Sequence, residues 1–288
     1  MKIKSDGRRI VTGLAWVFLM ALPAVGGAQT TVPEANLTGR RVTADFAELA
    51  DLHCNESVIQ EKLTSNGHVE AKELARYDYL IMIDGNGEGL HFNESRRETL
   101  TARHTQLPML VTNGFSTLLL IFHPYYRNSF KFESGEADVV DGEPAVQVHF
   151  SEIAGQRAPA ALALRGRVYP LELKGTAWLD KQTGDVMKMD ASLEHDMSDV
   201  GLRSLAIHVD YKPMTLGTMP KANLPTKAVV EVATAKQHWR NTHIFDAYKM
   251  FSTEAEQDPN VKIITPPTSG KGKDKDAVEA APGTKEKP

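Results

Sequence analysis

The sequence predicts a mainly antiparallel β domain of the α+β class, in which a strongly curved, unclosed half-barrel sheet holds one or two helices in its mouth. Apolar residues recur with a period of two along most of the chain after Arg76, and Gly, Asn and Asp residues mark turns between these runs. The runs show one apolar face, which a sheet must bury against other elements. We expect about eight to eleven strands, with the apolar segments 42–63 and 114–122 as the cover.

The segment 1–28 has the order of a secretory signal peptide. Basic residues come first, an apolar run from Ile10 to Val25 follows, and small residues end the segment at Ala28. We expect cleavage after Ala28 and a mature protein in the periplasm, with secretion into the medium as the open alternative. A membrane-anchoring helix is the competing interpretation, but this run is shorter than the roughly 20 apolar residues that a spanning helix needs.

The composition of the mature chain narrows its partners. The whole chain has a formal net charge of −4, and removal of segment 1–28, with four basic side chains and one acidic one, leaves −7. That charge argues against nucleic acid as a partner. We find no second apolar stretch long enough to span a membrane, so we predict no integral membrane segment after cleavage. The single cysteine, Cys54, has no partner for an internal disulfide and is expected to be a small buried residue.

The chain starts with helical features and then changes period. Residues 29–42 are a polar lead-in, and apolar spacings of three and four predict a helix over Val42–Leu63. Alternation at 77–83 predicts a strand, and the charged residues 91–103 indicate an exposed strand or arm. The apolar cluster 114–122 ends at Pro124, which favours a short helix over the competing buried strand.

From residue 128 onward the pattern is strand and turn. Asp141-Gly142 lies between two short β-branched runs and signals a hairpin. Strands are also predicted at 169–180, 186–193, 201–212, 229–235 and 239–248. After residue 252 the sequence is rich in Pro, Gly and charged residues and lacks aromatic residues, which predicts a disordered tail over 253–288. The β-rich domain is therefore placed at 43–252.

One apolar cluster is a candidate ligand site. Residues of the 114–122 segment and its neighbours have two interpretations, of which core packing is the simpler one. The other is a lid over an apolar cavity, because such cavities are lined by aromatic and aliphatic side chains with few polar groups. The candidate ligand-binding residues are Phe115, Leu118, Leu119, Phe122 and Tyr125 on the lid, and Trp178, Met187 and Met189 on the sheet beneath it.

The ionisable residues give no catalytic or metal-binding pattern. The ten histidines do not form a His-Glu-x-x-His arrangement, and a single cysteine makes no Cys-x-x-Cys pair. His208 and Asp210 would face the same side of a strand, where a solvent-facing polar row explains them better than a metal. His53 and Cys54 are adjacent, so their side chains would point apart. We therefore predict no catalytic residue, no metal and no cofactor.

A family resemblance adds to these expectations. An N-terminal helix leads into a strand near 77–83, a helical segment near 115–122 precedes a hairpin, and the stretch 175–189 (GTAWLDKQTGDVMKM) forms a second hairpin with a Trp-Leu-Asp strand end. Over about 45–250, this order resembles the periplasmic lipoprotein-carrier (LolA-like) proteins and the related domain of the anti-sigma-factor regulator RseB/MucB. The resemblance implies an unclosed β-barrel that holds lipid chains under helices.

Three functional hypotheses follow. The leading one is a non-enzymatic periplasmic binding or carrier domain for an apolar ligand, with a lipid or a lipidated protein as partner. The alternative is an envelope protein-interaction or stress-sensing module, in which the charged 91–103 face and the tail contact an envelope protein. A hydrolase is the third hypothesis, and it requires an acid, a base and a nucleophile together in one cleft.

Overall fold

The structure is a computed structural model that describes residues 32–49, 51–85, 90–100, 110, 112, 115–164, 167–217 and 221–250. The predicted signal peptide at 1–28 and the predicted tail at 253–288 lie outside the described residues. Helix α1 spans Pro33–Glu48, a 3-10 helix spans Phe115–Phe122, and the short helix α2 spans Pro124–Arg127. We call the 3-10 helix Phe115–Phe122 the plug helix. A further one-turn 3-10 helix lies at Ser198–Val200.

Strands make up most of the described chain. They are β1 (Asp51–Leu63), β2 (Val69–Gly85), β3 (Leu90–Leu100), β4 (Phe130–Val140), β5 (Glu143–Glu152), β6 (Ala161–Leu164), β7 (Arg167–Pro170), β8 (Leu173–Asp180), β9 (Val186–Leu193), β10 (Leu202–Met214), β11 (Ala222–Thr234) and β12 (His238–Met250).

Ten of these strands form one antiparallel sheet in the order β3-β2-β1-β12-β11-β10-β9-β8-β5-β4, and β6 pairs with β7 in a small separate hairpin. The sheet is curled but not closed, because β3 and β4 are its two edges and do not pair with each other. The α+β half-barrel that the sequence predicts is therefore confirmed. The last strand, β12, pairs with the first strand, β1, so the two are neighbours in the middle of the sheet.

The sheet has an inner face that carries the core and an outer face that meets solvent. In β8 the side chains of Leu173, Ala177 and Leu179 are fully buried, and the intervening residues are partly or fully exposed. This alternation follows from the two-residue period of a strand. Gly175 belongs to the inner row, where an added Cβ would collide with the Asp190 carbonyl oxygen of β9 and would lie 2.7 Å from the ring of Phe150. The glycine thus leaves room for the aromatic ring of its cross-strand neighbour.

The predicted helix over Val42–Leu63 is wrong for most of its length. Helix α1 begins earlier, at Pro33, and ends at Glu48, so it also occupies most of the predicted lead-in. Strand β1 then begins at Asp51. Its inner row is Leu52, Cys54, Glu56 and Val58, which are all buried. The charged Glu56 interrupts the apolar alternation of this row in the sequence, and the remaining apolar residues fall at helical spacings.

Other expectations are met. The helical interpretation of the apolar cluster is confirmed by the plug helix, and the competing buried strand is wrong. The charged residues 91–103 belong largely to strand β3, as predicted, although Arg96 points to the inner face and is not solvent-facing. Cys54 is fully buried, as predicted.

Candidate functional site

The plug helix covers the inner face of the half-barrel. The segment is not a strand of the sheet, yet five of its residues are buried: Leu118, Leu119, Leu120, Ile121 and Phe122. Pro124 begins α2 directly afterwards, and His123 caps that helix by accepting a hydrogen bond from the backbone N–H of Tyr125 (3.2 Å). The ring of Phe122 stacks on Phe132 of strand β4, with ring centroids 5.4 Å apart. The plug helix is therefore part of the buried interior, as its apolar composition predicts.

Helix α1 lies against the plug helix and the β8–β9 turn. A Cβ on Gly39 would lie 2.9 Å from the carbonyl oxygen of Phe122, so the two backbones are in close contact there. The hydroxyl of Thr38 donates to the carbonyl of Gly184 (2.8 Å). Arg41 Nε donates to Asp185 Oδ1 (2.8 Å), which anchors the same helix to the start of the returning strand. Helix α1 is therefore anchored both to the plug helix and to the β8–β9 hairpin.

The structure places the predicted site residues on both faces of the sheet. Leu118, Leu119 and Phe122 are buried beneath α1, and Met189 is fully buried on the inner face opposite Ala177. Tyr125 is half-buried, and the guanidinium of Arg157 lies over its ring at 3.9 Å. The side chain of Phe115 lies outside the described part of the structure.

Trp178 and Met187 do not lie beneath the plug helix, so the structure does not bring them together with the other predicted site residues. Trp178 stands between the buried Ala177 and Leu179 and must therefore face outward. Its indole N–H donates to Asp138 Oδ2 (2.7 Å), and Lys188 lies over its ring at 4.1 Å. A register shift between Trp178 and Leu179 leaves Met187 as an extra residue in β9. Trp178 and Met187 both border an outer groove of about 580 Å³.

The outer face also holds the predicted polar row. His208 Nδ1 lies 2.5 Å from Asp190 Oδ1, and its Nε2 lies 3.0 Å from Asp210 Oδ1. The imidazole is about one third exposed, so this row faces solvent as the sequence predicts. A second open groove of about 440 Å³ runs beside it and is bordered by Trp178 and His208. Both grooves are open to solvent and lie on the face opposite the plug helix.

The inner face also carries a buried charged cluster that sequence reasoning missed. Glu56 is fully buried and binds two groups from other strands. Arg96 donates to it through Nε (2.5 Å) and Nη2 (2.8 Å), and His243 donates through Nδ1 (2.7 Å). The three strand pairings that join β12, β1, β2 and β3 bring these residues together, although they are up to 187 positions apart in the chain. The available sequence signal was the charged residue in an otherwise apolar inner row.

This cluster holds the chain at Leu110 and Thr112. His243 Nε2 lies 2.7 Å from Thr112 Oγ1, and Arg96 Nη1 donates to the Thr112 carbonyl (3.1 Å). Asn241 donates to Thr112 Oγ1 (2.9 Å) and to the Leu110 carbonyl (2.7 Å), which also accepts from Gln60 (2.6 Å). Because burial lowers the pKa of His243, its neutral ring donates at Nδ1 and accepts from the threonine hydroxyl at Nε2.

Thr112, His243 and Glu56 have the order of a nucleophile, a base and an acid, yet their surroundings give them a structural role. The bidentate Arg96 neutralises the carboxylate that would have to stabilise an imidazolium. The imidazole is fully buried, and the Thr112 hydroxyl is already bound on both sides. Burial, followed by the nearby Glu56, raises the pKa of the Cys54 thiol to about 12, which argues against this cysteine as a nucleophile as well.

Within the described residues, no group of three or more His, Cys, Asp or Glu side chains is arranged to hold a metal ion. Among the helices in the described ranges, we find none that combines the length and the apolar character needed to cross a membrane.

No protein-family model matches this sequence, and no curated protein matches it. Among solved structures, a DUF1329 family protein from Desulfovibrio piger ATCC 29098 is similar, with a TM-score of 0.38 and 10% identity over 75% of this chain and 91% of that chain. An outer membrane lipoprotein-sorting protein domain from Vibrio parahaemolyticus gives a TM-score of 0.37 and 12% identity over 77% of this chain and 94% of that chain. At this level of similarity, function has to be argued from the residues of the chain itself.

Proposed function

We propose that this chain is a non-enzymatic binding or carrier domain of the periplasm and that it takes an apolar ligand, a lipid or the acyl chain of a lipidated protein, on the inner face of its half-barrel. The observation that carries the proposal is the cover of that face. The apolar side chains of an unclosed sheet are buried in part by helical segments, the plug helix and α1, and not by closure of the sheet. An acyl chain presents the same kind of surface as Leu118–Phe122 and could take its place.

The form of the plug helix suits a replaceable cover. Runs of 3-10 helix longer than three or four residues are uncommon because their hydrogen-bond geometry is poor. This one extends over eight residues, so its position depends mainly on the apolar contacts of its side chains. When a ligand supplies equivalent apolar contacts to the sheet, replacement of the plug helix by the ligand costs little free energy. Helix α1 would then follow, because Gly39 rests directly on the end of the plug helix.

Native mass spectrometry of the purified protein tests this function. We expect a fraction with added mass that disappears after organic extraction, and we expect the extracted protein to bind a fluorescent acyl probe. Two methionines of β9, on either side of Lys188, give a matched pair of variants, because Met189 faces inward and Met187 faces outward. M189Q should weaken probe binding about tenfold, since it places an unpaired amide against the acyl chain. M187Q should leave the affinity within about twofold of wild type.

The outcome can contradict the proposal clearly. If the extracted protein binds no acyl probe, the inner face is permanently filled by the plug helix and the proposal fails. If M187Q weakens binding and M189Q does not, the ligand occupies the outer grooves near Trp178. Circular dichroism and thermal unfolding of both variants separate an effect on binding from an effect on folding.

A further inference from the structure

Tyr211 places a polar group in the apolar interior without a protein partner. It follows Val209 in the inner row of strand β10, and only 4% of its surface is exposed. Within the described residues its hydroxyl makes no hydrogen bond. A buried donor without a partner costs stability, so most such groups in folded proteins are paired with protein, water or ligand. A phenylalanine at this position would pack in the same way without that cost.

The surroundings of Tyr211 contain no charge that acts on it. Burial alone raises the pKa of its phenol, with no contribution from a neighbouring ionisable group. The phenol therefore stays protonated and offers an O–H donor. Because no cation acts on the phenol, an anionic group placed beside it would be desolvated without compensation. The hydroxyl is thus suited to an uncharged acceptor.

Two other tyrosines give a comparison for Tyr211. Burial raises the pKa of Tyr248, and Tyr211 lies close enough to add to this shift, but the hydroxyl of Tyr248 donates to the Pro225 carbonyl at 2.7 Å. The hydroxyl of Tyr79, like that of Tyr211, makes no hydrogen bond among the described residues. Burial and then the neighbouring carboxylate of Glu94 raise the pKa of Tyr79. Tyr211 therefore differs from Tyr248 in having no acceptor among the described residues, and from Tyr79 in having no ionisable group that acts on it.

We propose that the Tyr211 hydroxyl is the polar contact for the bound ligand and donates a hydrogen bond to an uncharged carbonyl oxygen. The ligand class is therefore an ester-linked or amide-linked acyl chain, in preference to a free fatty acid or a plain hydrocarbon. This inference rests on the proposed function, because it requires a ligand on the inner face. It adds the chemical group that the ligand must carry.

A competition experiment tests this selectivity. A fluorescent naphthylamine bound to the extracted full-length protein is displaced by three ligands of similar chain length: methyl laurate, laurate and tridecane. In the wild-type protein, we expect the ester to displace the probe at about one tenth of the concentration that the hydrocarbon needs, with laurate weaker than the ester. In Y211F the ester should lose this advantage, and its ratio to tridecane should fall to about one. Y248F is the matched control and should keep the wild-type ratio.

The possible failures are distinguishable. If no competitor displaces the probe and no acyl ligand binds, both the proposed function and this inference are overturned. If the acyl ligands bind but Y211F keeps the preference for the ester, the hydroxyl of Tyr211 serves a buried water, and only the inference is overturned. Thermal unfolding gives a readout that needs no ligand: Y211F should melt at or above the wild-type temperature, whereas Y248F should melt below it because the Pro225 carbonyl loses its donor.

Discussion

Two consecutive arginines of strand β3 show how the face of a strand decides the role of a residue. Arg96 points inward, forms a bidentate pair with the fully buried Glu56 and lies over the ring of Tyr79 at 4.7 Å. Arg97 points outward, pairs with Asp78 and keeps 81% of its side chain exposed. Both pairs join β3 to the sheet, but water screens one of them and the protein interior encloses the other.

The first prediction compares these two pairs. E56Q removes a charge from a buried cluster and leaves the Arg96 guanidinium without its counter-charge, so we expect a loss of about 3–5 kcal/mol in the free energy of unfolding. D78N does the same to the exposed pair and should cost about 1 kcal/mol or less. Urea denaturation at pH 7.5 measures both values. Equal losses for the two variants would show that Glu56 is not desolvated as the structure has it.

The second prediction concerns the contact between α1 and the plug helix. Replacing glycine by alanine inside a helix ordinarily raises stability by about 1 kcal/mol. Here the added methyl group would lie 2.9 Å from the carbonyl oxygen of Phe122, so α1 must move away from the plug helix. We expect G39A to lower the unfolding free energy by about 1–2 kcal/mol despite its better helix propensity.

The control for this prediction is R40A, on the same helix. Arg40 is exposed, and its replacement should change stability by less than about 0.5 kcal/mol. If G39A is more stable than wild type, helix propensity outweighs the contact and α1 is not closely docked on Phe122. Thermal unfolding of the three proteins in one buffer decides between these outcomes.

At the scale of elements, the sequence was informative wherever an inner row stays apolar. The β8–β9 hairpin could be predicted because Leu173, Ala177 and Leu179 alternate without interruption. Strand β1 could not, since its inner row contains Glu56, whose partner Arg96 is distant in sequence and becomes its neighbour only through the strand order. For the same reason the partners of Glu56 in the buried cluster could not be predicted. The outward position of Trp178 follows from the sequence, because Ala177 and Leu179 on either side of it belong to the apolar row.

At the scale of the whole molecule, the order of the strands places the charged cluster and the apolar inner row of β8 and β9 in different parts of the sheet. The charged cluster joins side chains of β12, β1 and β3 across the inner face, and it holds Leu110 and Thr112. The apolar inner row that includes Met189 lies on β8 and β9, farther along the same sheet. Two buried groups, His243 and Glu152, make the stability of the fold depend on pH, and their effects have opposite signs.

His243 stabilises the fold at higher pH. Burial lowers the pKa of His243 in the folded state. In the unfolded chain the imidazole keeps its usual pKa of about 6.5 and therefore binds a proton more readily. The contribution of His243 is therefore fully present above about pH 6.5 and is lost as the pH falls below that value. Glu152 behaves in the opposite way. Burial, with a smaller contribution from Glu172, raises the pKa of this carboxyl to about 7.

The third prediction isolates the contribution of Glu152 to the pH dependence of the whole fold. The contribution of this carboxyl is fully present below its unfolded pKa of 4.5 and is lost as the pH rises through about 7. E152Q removes the ionisation and keeps an oxygen that can accept from the Leu173 N–H, as Glu152 Oε2 does at 3.2 Å. Urea midpoints should therefore be nearly equal for E152Q and wild type at pH 4.5. At pH 8 the variant should be more stable by up to about 3 kcal/mol. E136Q, at an exposed position of β4, is the control and should show no such divergence. A constant difference between E152Q and wild type across this range would mean that Glu152 ionises at its ordinary pKa.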